Sequence, residues 1–456
     1  MSKIITLVVI IISFSSSAQI QFVDKILINK DITPQNINDF QVLDFDNDGD
    51  LDIVTISSES NKKISLYKNN GNDTFSQQLL ISTTNNFSNT NDFFLKIVDI
   101  NNDGYLDLVT NGLNRINVFI NNGSNNYSEI IVGYGAAINV NYVNIEVSDV
   151  DNDGFKDIIA ERKIDGSTSS NLFWFKNDNL NFYPFQINIY NENPNFVDIE
   201  NDGDVDIVCK NGSGGISFIS NSNNGTFTIQ QILNSTEINF SFDTIKLLDF
   251  NNDGLKDIVI YNHHTPNGIK LFLKNLNNTY TSQTILSGDF NYVTFIDYDN
   301  DSDLDILVNK GQSQNSYTRI YYNNSLSFTA NITINNKLQF DDGNDNYYTG
   351  DKILFLDLNN DNLKDLVYCT NNRIGFLKNL TSNNFISKII SDYSMGSAVV
   401  CNIDNDNFLD IVIKETSDDT QNTKISWFKN LGSLNFTQNM LDEVVGNGIL
   451  DNSINI

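Results

Sequence analysis

Histidine, cysteine and proline are all scarce in this chain, at two, three and four residues of 456. Two histidines leave little room for histidine-based zinc chemistry. Cys209, Cys369 and Cys401 are odd in number and each sits in an apolar run, which reads as three buried thiols and not a disulfide framework. Positive charge is scarce as well: 28 Lys plus Arg stand against 57 Asp plus Glu, for a net charge of −29. Such a balance excludes a protein built to grip the backbone of DNA or RNA, or to dock on anionic lipid. No G-x-S-x-G or H-E-x-x-H motif is present, so those hydrolytic mechanisms find no support. Helical periodicity is missing throughout, and no run after the first residues reads as a transmembrane segment.

The N-terminus has Lys3, an apolar run over 4–12, and then Ser15, Ser16, Ser17 and Ala18. This is the layout of a cleaved signal peptide over 1–18. It predicts a single mature domain over 19–456, secreted or held at the cell surface, with the periplasm as the alternative.

The dominant feature is an acidic motif repeated eight times. It starts as DFDNDGDLDIV at Asp44 and recurs at Asp99, Asp149, Asp198, Asp249, Asp297, Asp357 and Asn402. Positions 1, 3, 5 and 9 carry oxygen side chains, position 2 is apolar, and position 7 offers a main-chain carbonyl. The candidate metal ligands of loop 1 are therefore Asp44, Asp46, Asp48, Asp50 and Asp52, and those of loop 2 Asp99, Asn101, Asp103, Tyr105 and Asp107. Loop 3 supplies Asp149, Asp151, Asp153, Phe155 and Asp157, and loop 4 Asp198, Glu200, Asp202, Asp204 and Asp206. Loop 5 supplies Asp249, Asn251, Asp253, Leu255 and Asp257, and loop 6 Asp297, Asp299, Asp301, Asp303 and Asp305. Loop 7 supplies Asp357, Asn359, Asp361, Leu363 and Asp365, and loop 8 Asn402, Asp404, Asp406, Phe408 and Asp410.

Calcium takes six to eight hard oxygen ligands in a flexible cage, which such a loop can provide, whereas magnesium demands a tighter octahedron. Glycine at position 6 of five loops permits a positive φ, and Asn362 and Asn407 tolerate it better than Ser302 does. No loop has the glutamate at position 12 that a helix–loop–helix calcium hand requires. Loops 1, 3, 4 and 6 have four acidic side-chain ligands and the others three, which accounts for 28 of the 57 acids. Up to eight calcium ions would bring the net charge from −29 to −13. Turns of Asp and Asn without metal are the competing reading. They leave the carboxylate at position 9, beyond the turn, without a reason.

Each motif is followed by a β-branched strand, a third strand ending in aromatic-x-Asn, and an aromatic-led fourth strand. Four strands in about 50 residues make one blade of a β-propeller, and stacked blades close a ring. The fold expected is all-β, with eight four-stranded antiparallel blades, or seven if a terminal repeat is degenerate. Residues 22–28 resemble a further fourth strand and leave the mode of closure open.

The motif and its later aromatic-Lys-Asn strand resemble the FG-GAP/VCBS repeat of secreted bacterial proteins, to which the head of integrin alpha chains is related. The resemblance implies a calcium-stabilised propeller outside the cytoplasm. A binding module for surface glycans or proteins is the leading expectation, with a purely structural propeller or a carbohydrate-active enzyme such as a polysaccharide lyase as alternatives. Outside the loops, Asp341, Asp342, Asp345, Tyr347 and Tyr348 form the best ligand-binding candidate, because carboxylates lie beside aromatics in the longest interval between motifs. His263 and His264, and the loop 161–171, are weaker candidates. Trp174 and Trp427, at equivalent places in repeats 3 and 8, read as packing between blades.

Overall fold

The computed structural model describes residues 37–443, leaving out 59–61, 72–73, 84–93, 113, 124–125, 134–139, 165–169, 188–190, 223, 239–241, 243, 263–267, 289, 291, 311–316, 335–351, 370–373, 382–383, 392–393, 417–422 and 433–434. The expected signal peptide, the 22–28 segment, His263, His264 and the whole set Asp341, Asp342, Asp345, Tyr347 and Tyr348 lie outside the described residues.

Eight four-stranded sheets follow one another along the chain, at 37–83, 95–132, 140–187, 191–233, 244–286, 292–334, 352–391 and 394–443. Within every sheet the strands pair antiparallel in sequence order. The architecture is an eight-bladed propeller, and it settles the blade count at eight. Blade 8 is contiguous, with Phe436–Glu443 pairing on Thr423–Asn430 as its fourth strand.

The burial pattern explains the closure. The second strand Asp257–Tyr261 is buried at every position, and so is Asp107–Gly112. These strands face a neighbouring blade on each side, so both faces are apolar and the period of two is lost. Fourth strands such as Phe227–Leu233 form the outer rim and are largely exposed. Eight apolar clusters form the core, and each spans one junction between consecutive blades. One of them joins Ile37, Phe40, Ile53, Tyr67 and Phe75 of blade 1 to Ile403, Val412, Ile425 and Trp427 of blade 8. Phe75 meets Trp427 edge-to-face at 5.8 Å. Trp174 packs likewise on Phe227 across the junction of blades 3 and 4. Both tryptophans are thus inter-blade packing groups, as their placement suggested.

A single helical turn, Ser235–Ile238, interrupts the all-β pattern between blades 4 and 5. Asn234 caps the N–H groups of Thr236 and Glu237, and the Glu237 carboxylate accepts the Asn234 N–H in return. This is a capping box, legible in the run Asn-Ser-Thr-Glu but not expected from periodicity. Among the described residues no helix is long and apolar enough to cross a membrane.

Because strand directions alternate, the acidic loops and the turns between third and fourth strands share one edge of the ring. The second-to-third connections and the links between blades share the other.

Candidate metal centre

Each acidic loop joins the first and second strands of its blade, and its shape follows from short-range hydrogen bonds. In loop 1 the Asp44 carboxylate accepts the N–H groups of Asp48 at 3.1 Å and Gly49 at 2.9 Å. The same pair of bonds recurs in loops 2, 3, 4, 5 and 7. Loop 8 starts with Asn402, whose single side-chain oxygen accepts only the Asp406 N–H at 3.1 Å. In all eight loops the position 5 carboxylate accepts the position 7 N–H.

Two residues of each loop are left-handed. Position 6 has φ 93° at Gly49 and 78° at Ser302. Position 4 is asparagine in every loop, with φ between 55° at Asn152 and 63° at Asn300. Asparagine is enriched there because it tolerates this region. Its side chain then links neighbouring loops. Asn201 Nδ2 donates to the Gly254 carbonyl and Asn360 Nδ2 to that of Asn407, each at 3.1 Å. Asn102 reaches Gly154 and Asn252 reaches Ser302 in the same way.

Position 9 shows why its carboxylate is kept. Asp52, Asp107, Asp157, Asp206, Asp257, Asp305, Asp365 and Asp410 are each 0% exposed. In every loop Oδ2 accepts the N–H of the apolar residue at position 2, as Val150 to Asp157 at 3.0 Å. Oδ1 accepts an N–H from the end of the third strand, as Asn177 to Asp157 at 2.6 Å. The aspartate therefore clamps loop to strand whether or not a metal is bound. This supplies the reason that turn chemistry alone leaves missing. The clamp donor in blade 5 is Lys274, since Asn275 falls beyond the strand. Lys274 Nζ reaches the Ile199 carbonyl of blade 4 at 3.3 Å, the kind of link that Asn221 Nδ2 makes to Val150 of blade 3 at 2.7 Å.

Burial pushes the clamp carboxyls up, against the pull of their two backbone hydrogen bonds, to about 6 for Asp52, Asp107, Asp157, Asp206 and Asp365 and about 7 for Asp410. Asp257 and Asp305 are raised for the same reason. Asp48 moves the other way, held down by the Asp50 N–H and by Lys68.

In three loops the acids converge within reach of one ion. Carboxylate oxygens of Asp44, Asp46 and Asp48 lie within 4.8 Å of one another, as do those of Asp149, Asp151 and Asp157 and those of Asp297, Asp299 and Asp305. Asp151 Oδ1 and Asp297 Oδ1 are buried and have no hydrogen-bond partner. An all-oxygen donor set with orphaned buried carboxylate oxygens fits a hard divalent cation.

A closed propeller with an acidic loop at the same edge of every blade defines the class of protein. The FG-GAP-like repeat model matches residues 44–110, 99–160, 198–260 and 249–308, half of the chain in all, and the chain belongs to that family. No curated protein matches it in sequence. Among solved structures, Sqt1 of Saccharomyces cerevisiae is 10% identical over 84% of this chain and 94% of its own, with a TM-score of 0.50. An Agrocybe aegerita lectin, described by its recognition of non-reducing terminal N-acetylglucosamine, is 18% identical over 68% and 82%, with a TM-score of 0.46. The V. cholerae biofilm matrix protein Bap1 is 11% identical over 91% of each chain, with a TM-score of 0.36. Likeness at these levels concerns fold alone.

Proposed function

We propose that this chain is a secreted, calcium-stabilised propeller that acts as a binding module for glycans or proteins outside the cell. Residues 1–18 serve as its signal peptide, and 19–456 form one domain carrying up to eight calcium ions. The observation that carries the reading is the repetition of one loop design eight times on one edge, and the side chains at positions 1, 3, 5 and 9 with the position 7 carbonyl are its proposed ligands. A bound cation adds charge that these carboxylates lack, and it stabilises by binding only the folded form.

The metal edge then stiffens the ring and leaves the opposite edge to ligands. The strand ends that flank 335–351, 263–267 and 165–169 all lie on that opposite edge. Asp341, Asp342, Asp345, Tyr347 and Tyr348 are the proposed contact residues there. No set of acid and base groups outside the loops favours turnover among the described residues.

Metal analysis of protein purified in calcium tests the first part. More than four ions per chain are expected, and fewer than two would sink the reading. A glycan array run beside an unsaturated-uronate absorbance assay on acidic polysaccharides tests the second. Binding without an absorbance rise supports the module. A calcium-dependent rise lost in Tyr347→Phe favours a lyase, and no binding at all leaves a structural propeller.

A further inference from the structure

The eight loops share one design but differ in what stands beside positions 3 and 5. In blades 1, 3 and 8 the third-strand residue just before the clamp asparagine is a lysine whose ammonium rests on the loop carboxylates. Lys68 pairs with Asp46 and, at 3.1 Å, with Asp48. Lys176 pairs with Asp151 and, at 2.8 Å, with Asp153, while Lys429 reaches Asp404 at 2.5 Å.

Elsewhere that place is filled differently. In loops 2 and 5 the position 3 amides of Asn101 and Asn251 donate to Asp103 at 2.9 Å and Asp253 at 3.0 Å. In blade 4 the Ser220 hydroxyl bonds Glu200 at 3.0 Å. Blade 7 has Lys378 but Asn359 at position 3, and among the described residues this lysine makes no ion pair. Blade 6 combines five aspartates with Tyr322 in the lysine's place. Apart from the Asp303 main-chain N–H that Asp301 accepts at 3.0 Å, no lysine, side-chain amide or hydroxyl bonds the side chains of Asp299 or Asp301 among the described residues. Lys364 comes near, but it bonds the Asp297 main-chain carbonyl.

We propose that the third-strand lysine sets the metal affinity of its loop, so that loop 6 takes a divalent cation first and loops 1, 3 and 8 take it last. The ammonium occupies the same carboxylate oxygens that a cation would use and supplies part of the same charge. To load such a loop, the ion must displace the lysine or suffer its repulsion at close range. In loop 6 nothing competes, and mutual repulsion among the aspartates favours the ion. The order cannot be read from carboxylate number, because loops 1 and 3 are as acidic as loop 6 in their side-chain ligands. The inference rests on the divalent-metal reading above.

Lys68→Met and Lys176→Met keep the aliphatic stem and remove the charge, whereas Tyr322→Lys adds it to loop 6. Calcium titration calorimetry on the chelator-stripped full chain should show each Lys→Met change tightening one weak site by about tenfold. Tyr322→Lys should weaken the first binding event by a similar factor. Terbium at less than one ion per chain should luminesce on tyrosine excitation but not on selective tryptophan excitation, since Trp174 and Trp427 lie in lysine-bearing blades 3 and 8. Lys→Met proteins that bind calcium as the wild type does, with tryptophan-sensitised terbium from the first addition, would overturn the lysine role alone. Absence of calcium binding in every form would remove the metal reading with it. The two Lys→Met proteins decide the matter even if Tyr322→Lys does not fold.

Discussion

Asn405 Nδ2 donates to Asp50 Oδ1 at 2.9 Å, joining two acidic loops that lie 355 residues apart in the chain. It is the contact between loops at the seam where blade 8 meets blade 1. The Asn69 side chain makes a second link there, to the Ile403 carbonyl at 2.8 Å.

Asn405→Gly keeps the left-handed backbone and deletes only the amide. It should cost about 1 kcal/mol of stability, the net worth of one such hydrogen bond. Asn47→Gly is the control, since Asn47 has φ 59° and no link to another loop among the described residues. Urea melts of both proteins check this. Equal losses would mean that the amide contributes nothing to closure.

Asp157→Ala should destabilise in chelator as well as in calcium. It leaves two buried N–H groups unpaired, at about 1–3 kcal/mol each. Asp48→Ala and Asp361→Ala should act chiefly in calcium, because positions 5 lie in the exposed part of the loop. Thermal melts in both buffers separate the two kinds of aspartate. A loss confined to calcium for Asp157→Ala would rule out the clamp.

Calcium-free protein should become more stable as the pH is lowered from about 7 toward 5. Burial raises the clamp carboxyls in the folded chain, to about 6 at Asp52 and Asp107, against 3.8 when unperturbed. The folded form therefore binds more protons in that window. The stability they contribute is complete below about 4 and is lost as the pH rises through about 6. Saturating calcium should flatten or reverse the slope, since it favours the ionised loops. A calcium-free melting temperature that falls on acidification from 7 to 5.5 would count against it.

Trp427→Ala should be among the most damaging single changes, at about 3–5 kcal/mol. Trp427 is 1% exposed and fills the seam between blades 8 and 1. Chemical denaturation is the measurement, and a loss below about 1 kcal/mol would show that the seam relaxes around the gap.

Much of this was legible in the sequence because the motif is repeated. Eight acidic loops and the fourth strands led by Phe75, Tyr127, Phe227 and Tyr280 pointed to four-stranded blades in chain order and to eight of them, with seven left open until the structure settled the count. What escaped depends on distance. The asparagine at position 4 is present in all eight loops, but its link to the next blade needs the ring to be closed. Lys68 stands 20 residues beyond Asp48, so its charge is invisible to a count made within the motif. Glycine at position 6 drew attention to one left-handed residue, while Asn47 and its equivalents supplied a second.

Every described blade is complete in itself, with all four strands drawn from one stretch of chain. The seam between blades 8 and 1 therefore differs little from the other seven junctions. A permuted gene that joins residue 443 to residue 37 through a short linker, and opens the chain between 233 and 244, should produce the same ring. By the same logic, duplicating or deleting one repeat changes the circumference and strands no unpaired β-segment. Growth by whole repeats is thus open to this architecture in a way it is not where the first and last blade share strands.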